Sequence, residues 1–307
     1  MIGLDWGISL FRAYLMDCKG AIVDAVAEKS GILQVGDRSF EEVLETSIGH
    51  WLSPNPHTPI IACGMIGSRQ GWVEAPYIHC PAGLAELAEH LCLHRTQLGR
   101  KIWFVPGVMR RAKDKTADVM RGEETQIFGT VQSDSERYPF ILPGTHSKWA
   151  LVEDGKISWF MTFMTGELFA LLCDHSILGR LMEESCDDDE SFQRGLERAA
   201  HAWQDRLGLL SALFSVRSLG LFNELPKTGL KSYLSGLLIG AEISEATRQF
   251  KEKSSFHLIG TCHLSHLYAK ALRFFGLRSQ VESENQTARG LALIAMKANL
   301  LSDRISK

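Results

Sequence analysis

The sequence of 307 residues lacks the features of membrane and secreted proteins. It contains no uninterrupted apolar run of the roughly 18 residues that a membrane-spanning helix needs. It begins directly with an apolar segment that predicts the first core strand, so we expect no signal or transit peptide. Its 7 cysteines are an odd number and include no Cys-x-x-Cys pair. This usage favours reduced thiols over a disulfide framework, and therefore a cytoplasmic location.

A strong net charge is also lacking. The formal charge of −3 gives no electrostatic reason to expect a nucleic acid or an anionic membrane as a partner. Hydrophobic residues at 45% and charged residues at 22% are typical of a globular protein, and the length suits two domains. The sequence does not indicate the oligomeric state.

Two nucleotide-binding motifs are missing as well. There is no Gly-x-x-x-x-Gly-Lys-Ser/Thr loop and no Gly-x-Gly-x-x-Gly sequence. The P-loop and dinucleotide-binding folds therefore lack their main support. A nucleotide, if one binds, must be held by other elements.

The N-terminal 26 residues predict three strands, and the first two are joined by a turn that contains Asp5, Gly7 and Ser9. An aspartate at the tip of a buried strand is costly unless it holds a cation or accepts hydrogen bonds. A glycine lets backbone approach a ligand, and the neighbouring amides can face a phosphate. The pattern predicts a hairpin that binds nucleotide phosphates, with Asp5 on the magnesium side; the alternative is a tight hairpin with a turn aspartate.

A second hairpin over 142–152 repeats this form, with Gly144, Thr145 and His146 in its turn, and a third apolar run follows at 157–163. Two β-β-β units in one chain indicate an old duplication. They resemble the paired phosphate hairpins of the actin-like, sugar-kinase and heat-shock-chaperone ATPases. This resemblance implies an α/β protein with two actin-like (ribonuclease H-like) domains and an ATP cleft between them. We expect one domain over 1–133, joined by the C-terminal helix 287–307, and the other over 134–286.

Glu123 and Glu124 are paired at the start of a helix predicted over 122–130. A helix N-terminus stabilises negative charge, so first-turn acids are one explanation. The other is a general base that takes the proton of a hydroxyl during phosphoryl transfer. We favour the base, without deciding between the two residues.

Periodicity and turn residues predict the remaining elements. Further helices are expected over 39–52, 84–94, 167–181, 191–202, 232–249, 264–275 and 287–300, and further strands over 60–63, 101–106 and 256–259. The acidic run 187–190 is interpreted as a solvated loop that leads into a helix. Gly260 and Thr261 follow the last predicted strand and open a helix, as an adenosine-binding turn does in the superfamily.

Longer motifs resemble a single family. These motifs lie at 64–68, 71–72, 75–77, 120–126, 143–149, 164–168, 175–179 and 235–242. The resemblance as a whole extends from Asp5 to about Ala295. By these motifs the sequence resembles the 2-dehydro-3-deoxygalactonokinases. The resemblance implies ATP-dependent phosphorylation of the 6-hydroxyl of 2-dehydro-3-deoxy-D-galactonate, with ATP and Mg²⁺ as cofactors.

The resemblance also implies roles for residues. They are as follows: Asp5, Gly7, Ser9, Gly144, Thr145 and His146 at the ATP phosphates, Asp5 at the metal, Glu123 or Glu124 as the base, Gly260 and Thr261 near adenosine, and Gly64, Gly67, Ser68, Trp72, Lys148, Thr165 and Glu167 at the sugar acid. The chain departs from the family at Ile8, where a threonine or serine is usual, so one hydroxyl contact to phosphate is missing.

Two other functions stay open at this point. One is a kinase for another keto-deoxy or aldonic sugar acid. The other is an actin-like sensor that binds a nucleotide without catalysis. The sequence also leaves open which cation binds the substrate carboxylate, with Arg12, Arg69, Arg121 and Lys148 as candidates.

Overall fold

The computed structural model describes residues 1–54, 57–184, 187–250, 255–283 and 285–301. The chain divides into two compact units. Unit 1 comprises 1–138, 150–160 and 283–307, and unit 2 comprises 139–149 and 161–282. The segment 150–160 of the second hairpin lies in unit 1, because Lys156 and Ile157 within it pair with Gly83 and Ala82. The predicted domains, 1–133 with 287–307 and 134–286, stay a prediction.

The described residues form the following strands: β1 Ile2–Trp6, β2 Phe11–Met16, β3 Ile22–Glu28, β4 Ile60–Cys63, β5 Tyr77–His79, β6 Ala82–Gly83, β7 Cys92–Arg95, β8 Lys101–Phe104, β9 Gly107–Arg111, β10 Ala117–Met120, β11 Tyr138–Leu142, β12 Ser147–Glu153, β13 Lys156–Phe163, β14 Phe256–Leu258 and β15 Ser279–Val281. The α-helices are α1 Phe40–Leu52, α2 Leu84–Glu89, α3 Glu123–Thr130, α4 Thr165–His175, α5 Asp189–Gln204, α6 Gly208–Leu213, α7 Ser215–Leu221, α8 Leu230–Gln249, α9 Cys262–Phe274 and α10 Gln286–Lys297. None of the described helices is long and apolar enough to cross a membrane.

Unit 1 contains a mixed sheet with the strand order β3-β2-β1-β4-β8-β7. The first three strands form the antiparallel meander that the sequence predicts. Strand β4 lies parallel to β1, with Asp5 opposite Cys63. The carboxyl ends of these two strands therefore meet, and Gly64 follows directly at this edge.

Helix α1 covers this sheet, and its start is fixed by local chemistry. The Ser39 side chain accepts a hydrogen bond from the Glu42 amide, while the Glu42 carboxylate accepts one from the Ser39 amide. This capping box satisfies two backbone donors that a helix start leaves open. Apolar residues of α1, including Leu44 and Ile48, then pack against β1 and β4 in the core of unit 1.

Helices α3 and α10 of unit 1 cross at two glycines. A Cβ built on Gly129 would lie 1.9 Å from the Gln286 carbonyl oxygen, and one on Gly290 would lie 1.9 Å from that of Thr125. Only glycine allows this approach. The crossing fixes the first turn of α3, and with it Glu123 and Glu124.

A second six-stranded sheet has the order β15-β14-β11-β12-β13-β6, and β5, β9 and β10 form a small third sheet. In unit 2, β14 lies parallel to both β11 and β15. Helices α5 and α8 pack closely there, because Gly195 and Gly236 carry no side chain. A Cβ built on Gly195 would lie 2.2 Å from the Tyr233 carbonyl oxygen, and one on Gly236 would lie 2.1 Å from that of Phe192.

Several predicted elements are confirmed, among them the strands of both hairpins and the helices α1, α3, α5, α8, α9 and α10 within a few residues. The helix predicted over 84–94 is wrong beyond Glu89, because Cys92–Arg95 forms the edge strand β7 and pairs with β8. The helix predicted over 167–181 ends at His175, and only a 3₁₀ turn follows at Gly179–Leu181. The acidic run leads into α5 as predicted, although the helix begins within the run: Asp188 caps α5 and Asp189 is its first residue.

Candidate functional site

The tip of the first hairpin holds a largely buried carboxylate, that of Asp5, whose side chain is 14% exposed. Arg12 lies opposite Asp5 on β2 and donates through Nη1 to Asp5 Oδ2 at 3.2 Å, and Thr287 Oγ1 lies 3.5 Å from the same oxygen. Burial raises the pKa of Asp5, and the guanidinium of Arg12 offsets part of that effect. Asp5 Oδ1 takes part in no hydrogen bond within the described part of the chain, so one oxygen remains for a ligand.

The turn of this hairpin is held by its own backbone. The Gly7 amide donates to the Leu10 carbonyl at 2.9 Å, and the Ile32 amide donates to the Gly7 carbonyl at 3.0 Å. The amide of Gly7 is therefore used within the turn. If phosphate binds here, the donors have to be the neighbouring amides of Ile8 and Ser9 or the hydroxyl of the exposed Ser9.

The two glutamates at the start of α3 have different environments. Glu124 is 0% exposed; its carboxylate accepts from the Gly122 amide at 2.7 Å and from Thr125 Oγ1 at 2.9 Å. Burial and the neighbouring Glu123 raise the pKa of Glu124 to about 7. Glu123 is partly exposed and accepts from the Arg121 amide at 2.9 Å.

Two predicted site residues of unit 1, Asp5 and Gly64, meet at the carboxyl edge of its sheet, next to the turn before Glu123. Gly64 has φ of +90°, and a Cβ built on it would lie 2.9 Å from the Trp6 carbonyl oxygen and 3.5 Å from Asp5 Oδ1. A Cβ on Gly122 would lie 3.1 Å from the Cα of Gly64. The structure therefore places Gly64 against both Asp5 and Gly122, the residue before Glu123.

The other predicted sugar-acid residues of unit 1 follow Gly64 in a compact loop. The indole of Trp72 stacks on Phe40 with ring centres 6.0 Å apart and packs edge-on against Trp6 and Phe104, which makes it part of an aromatic cluster of the core. Its contact with substrate stays a prediction. Ser68 is buried, and its Oγ has no hydrogen-bond partner among the described residues.

In unit 2, the second hairpin contacts the start of α4. The Glu167 amide donates to the Thr145 carbonyl at 2.9 Å, and a Cβ built on Gly166 would lie 2.3 Å from the Gly144 carbonyl oxygen. His146 Nε2 lies 2.5 Å from Glu167 Oε2. Glu167 was predicted at the sugar acid and His146 at the ATP phosphates, but the structure brings these two side chains together.

Glu242, to which the sequence interpretation assigned no role, organises this region. Its carboxylate is buried and accepts hydrogen bonds from Ser147 Oγ at 2.7 Å, Trp149 Nε1 at 2.8 Å, Tyr268 at 2.7 Å and the Thr165 hydroxyl. Thr165 is thus held by α8. A glutamate within the apolar run of α8 was the sequence signal that could have indicated such a centre.

Lys148 follows Ser147 on β12. It is only 5% exposed. A direct role at the sugar acid stays a prediction.

A cavity of about 300 Å³ lies beside these residues in unit 2. Its lining includes Gly144, Thr165, Gly166, Phe169, Asp187, Lys231, Ser232, Ser235, Leu238, His263, Leu264 and Tyr268. Gly260 and Thr261, the residues predicted near adenosine, do not line it themselves. Thr261 directly precedes α9, whose first residues do. The mixed polar and apolar lining is of the kind that a nucleoside needs.

The residues present fit a magnesium ion that arrives with a nucleotide. Mg²⁺ is usually held by one or two carboxylates together with water and substrate phosphates. Asp5 offers such a carboxylate with one free oxygen, and the charge of Glu123 acts on it. No cluster of three or more His, Cys, Asp or Glu that could hold a metal occurs among the described residues.

Comparison with known proteins gives a consistent match. The model of the 2-keto-3-deoxy-galactonokinase family matches residues 5–294. A protein of Rhizobium meliloti (strain 1021), named as a probable 2-dehydro-3-deoxygalactonokinase, is 34% identical over 95% of each chain. The 2-dehydro-3-deoxygalactonokinase of Escherichia coli (strain K12) is 32% identical over 90% of each chain.

Solved structures agree with this match. A crystal structure of a Sinorhizobium meliloti protein described as a putative 2-dehydro-3-deoxygalactonokinase aligns with a TM-score of 0.87 at 32% identity, covering 98% of this chain and 99% of that one. The ADPNP-bound activator of the 2-hydroxyisocaproyl-CoA dehydratase from Clostridium difficile aligns with a TM-score of 0.53 at 13% identity, over 100% and 99% of the chains. These comparisons confirm the predicted actin-like α/β fold with two domains.

Proposed function

The chain belongs to the 2-keto-3-deoxy-galactonokinase family, and from this membership we propose that it transfers the γ-phosphoryl group of ATP to the 6-hydroxyl of 2-dehydro-3-deoxy-D-galactonate. The reaction serves galactonate breakdown, and we place it in the cytoplasm, where ATP is available. The family consists of kinases, and the ADPNP bound to the Clostridium difficile neighbour supports ATP as the phosphoryl donor.

The observation that carries the proposal is the meeting of Asp5, Gly64 and the Gly122–Glu123 turn at one edge of the unit 1 sheet. Phosphoryl transfer needs a carboxylate for the incoming hydroxyl, a metal at the phosphates and close backbone approach to the substrate. This edge contains residues suited to each task, although they are distant in the sequence.

Glu123 is the general base in this proposal. Its carboxylate is partly exposed and is oriented by the hydrogen bond from the Arg121 amide. From there it accepts the proton of the sugar hydroxyl as the phosphoryl group arrives. Glu124 has both oxygens occupied inside the protein and fixes the Gly122 turn from which Glu123 projects.

Asp5 holds the magnesium ion through its free oxygen, directly or through water. Magnesium, when bound, neutralises charge on the phosphates during transfer. Arg12 keeps the other oxygen of Asp5 in place, since it lies opposite Asp5 in the hairpin register. The amides of Ile8 and Ser9 donate to phosphate oxygens in the same proposal.

In unit 2, the turn Gly144–His146 binds ATP phosphates, and the cavity before α9 accepts the adenosine. Gly144 belongs to both the turn and the cavity lining, which supports a nucleotide running from one to the other. Thr165 and Glu167 then act beside the phosphates. Their hydrogen bonds to Glu242 and His146 support this position.

An ADP-release assay with ATP, Mg²⁺ and 2-dehydro-3-deoxy-D-galactonate tests the proposal. Sugar-dependent ADP release, with phosphate located on C6 by NMR, is the expected result. A substrate panel of other keto-deoxy and aldonic acids decides between this activity and a related kinase. Nucleotide binding without phosphorylation of any sugar acid would instead indicate a non-catalytic sensor and overturn the proposal.

A further inference from the structure

Arg121 lies between β10 and α3, directly before the Gly122 turn, and is 7% exposed. Two of its guanidinium nitrogens are bound: Nη2 donates to the Ala75 carbonyl at 2.8 Å, and Nε lies 3.4 Å from the Tyr77 hydroxyl. The guanidinium also lies over the Tyr77 ring, with Cζ 4.2 Å from the ring centre. The side chain is therefore held in one position.

The third nitrogen of this group is unsatisfied. Arg121 Nη1 is buried and has no hydrogen-bond partner among the described residues, where no carboxylate pairs with the guanidinium either. Buried polar groups are nearly always hydrogen-bonded, because leaving a charged donor unpaired costs free energy. A fixed, buried cation with a free donor is thus suited to an anionic ligand.

The free nitrogen faces the loop that the sequence assigns to the sugar acid. A Cβ built on Gly67 would lie 3.2 Å from Nη1. The next residue, Ser68, contributes a second buried and unpartnered donor, its Oγ. One unsatisfied donor thus lies on this loop, and the other packs against Gly67, the residue before it. This is a second sign of a ligand, because a folded protein gains nothing by burying either donor without a partner.

The other candidate cations have different environments. Arg12 is paired with Asp5. Arg69 is exposed on the surface of the loop. Lys148 belongs to unit 2, on the strand that carries Ser147 to Glu242. Of the four candidates, Arg121 therefore combines burial, a fixed position and a free donor.

We infer that Arg121, through Nη1, binds the carboxylate of the sugar acid, and that Ser68 Oγ donates to the same carboxylate. Both atoms are shielded from solvent, so the proposal includes a local rearrangement that admits the carboxylate oxygens. The inference rests on the proposed function, and it adds the residue that selects an acid over a neutral sugar. Arg121 also places Glu123, since its amide binds that carboxylate. One residue thereby connects acid recognition with the base.

The test compares the sugar acid with its methyl ester, which has the same carbon skeleton and no charge. The wild-type enzyme is expected to prefer the acid in kcat/KM. Arg121→Gln should raise KM for the acid about 10- to 100-fold and leave KM for the ester and for ATP nearly unchanged. Arg111→Gln, an exposed arginine of β9, is the matched control and should leave the preference intact.

Ser68→Ala tests the same site independently, in case the Arg121 variant does not fold. Because it removes a hydroxyl that has no partner, its melting temperature should match that of the wild type, while KM for the acid rises several-fold. Arg121→Lys keeps the charge but not the planar fork, and should recover part of the lost acid preference. A purely structural Arg121 would change stability without changing the ratio of acid to ester.

The wild-type results separate this inference from the proposed function. If another sugar acid is the better substrate, the proposed substrate is wrong. The comparison of that acid with its methyl ester still tests the role of Arg121. If the wild type phosphorylates acid and ester equally well, or if Arg121→Gln and Ser68→Ala keep the full acid preference, the inference is overturned while the kinase activity stands. If no sugar acid is phosphorylated, both fall.

Discussion

Glu123 and Glu124 follow each other on α3, yet Glu124 is fully buried whereas Glu123 is partly exposed. Successive helical residues point about 100° apart, so the two carboxylates cannot face the same side. The inward residue binds the Gly122 amide and the Thr125 hydroxyl, and the outward one binds the Arg121 amide. This division of surroundings supports different roles for the two.

The first prediction concerns the base. Glu123→Gln should lower kcat by about a hundred- to ten-thousand-fold with little change in KM for ATP, since a positioned base typically contributes that factor. Glu124→Gln should lower kcat by about tenfold or less, because the amide can keep both hydrogen bonds. Steady-state kinetics of the two isosteric variants measure this. The opposite ranking would make Glu124 the base, and two active variants would place the base elsewhere.

A second prediction follows from the raised pKa of Glu124. Burial raises this pKa from 4.5 to about 7, so the folded protein keeps a proton that the unfolded chain has already released. The stabilising effect of that proton is complete below about pH 4.5 and is lost as the pH rises towards 7. Relative to wild type, Glu124→Gln should therefore gain up to about 2 to 3 kcal/mol in free energy of unfolding over this range. Urea denaturation at several pH values measures it, and a constant difference would contradict the assignment.

The third prediction concerns magnesium. Asp5→Asn should strongly reduce turnover and raise the Mg²⁺ concentration for half-maximal activity, because the amide offers a neutral oxygen in place of a carboxylate. The fold should persist, since the amide oxygen can still accept from Arg12. Magnesium titration at fixed ATP, with circular dichroism as the folding control, measures both effects. An unchanged magnesium dependence would argue against a metal role for Asp5.

The fourth prediction tests the two phosphate hairpins without disturbing their folding. A Cβ on Gly144 meets nothing within 4 Å, and one on Gly7 makes only an ordinary contact, 3.7 Å from the Leu10 carbonyl oxygen. Gly7→Ala and Gly144→Ala should therefore keep the wild-type melting temperature while raising KM for ATP. Gly166→Ala is the contrasting variant: its Cβ would lie 2.3 Å from the Gly144 carbonyl oxygen, so it should destabilise the protein. An unchanged KM for ATP in Gly7→Ala and Gly144→Ala would show that these turns do not bind the nucleotide.

The fifth prediction concerns the buried Glu242. Glu242→Gln should keep most of the stability, because the amide oxygen can accept from Ser147 and Trp149 while the amide nitrogen donates to the hydroxyls of Thr165 and Tyr268. Glu242→Leu should cost about 3 kcal/mol or more, since it leaves the Trp149 donor buried without a partner. Chemical denaturation distinguishes the two, and equal stabilities would show that the hydrogen bonds contribute little.

Local patterns predicted a large part of this fold. The hairpins were readable because alternating apolar residues and the turns at Gly7 and Gly144 lie within a few residues of each other. Helix α1 was readable because its apolar residues recur at helical spacing within one contiguous segment. The prediction of a helix over residues 90–94 was wrong, because a segment as short as Cys92–Arg95 becomes a strand only through pairing with β8. The strands β5, β9 and β10 were not predicted for the same reason.

The sequence by itself determined the two hairpins, the paired glutamates of α3 and, through long motifs, the family. These features depend on residues that are neighbours along the chain, so their spacing is visible without a fold. Only the tertiary structure decided which glutamate is buried, that Arg121 is buried with one unpartnered donor, and that Glu242 accepts from four donors. Burial and hydrogen-bond partnership depend on residues as far apart as Ser147 and Glu242, and no local pattern brings such residues together.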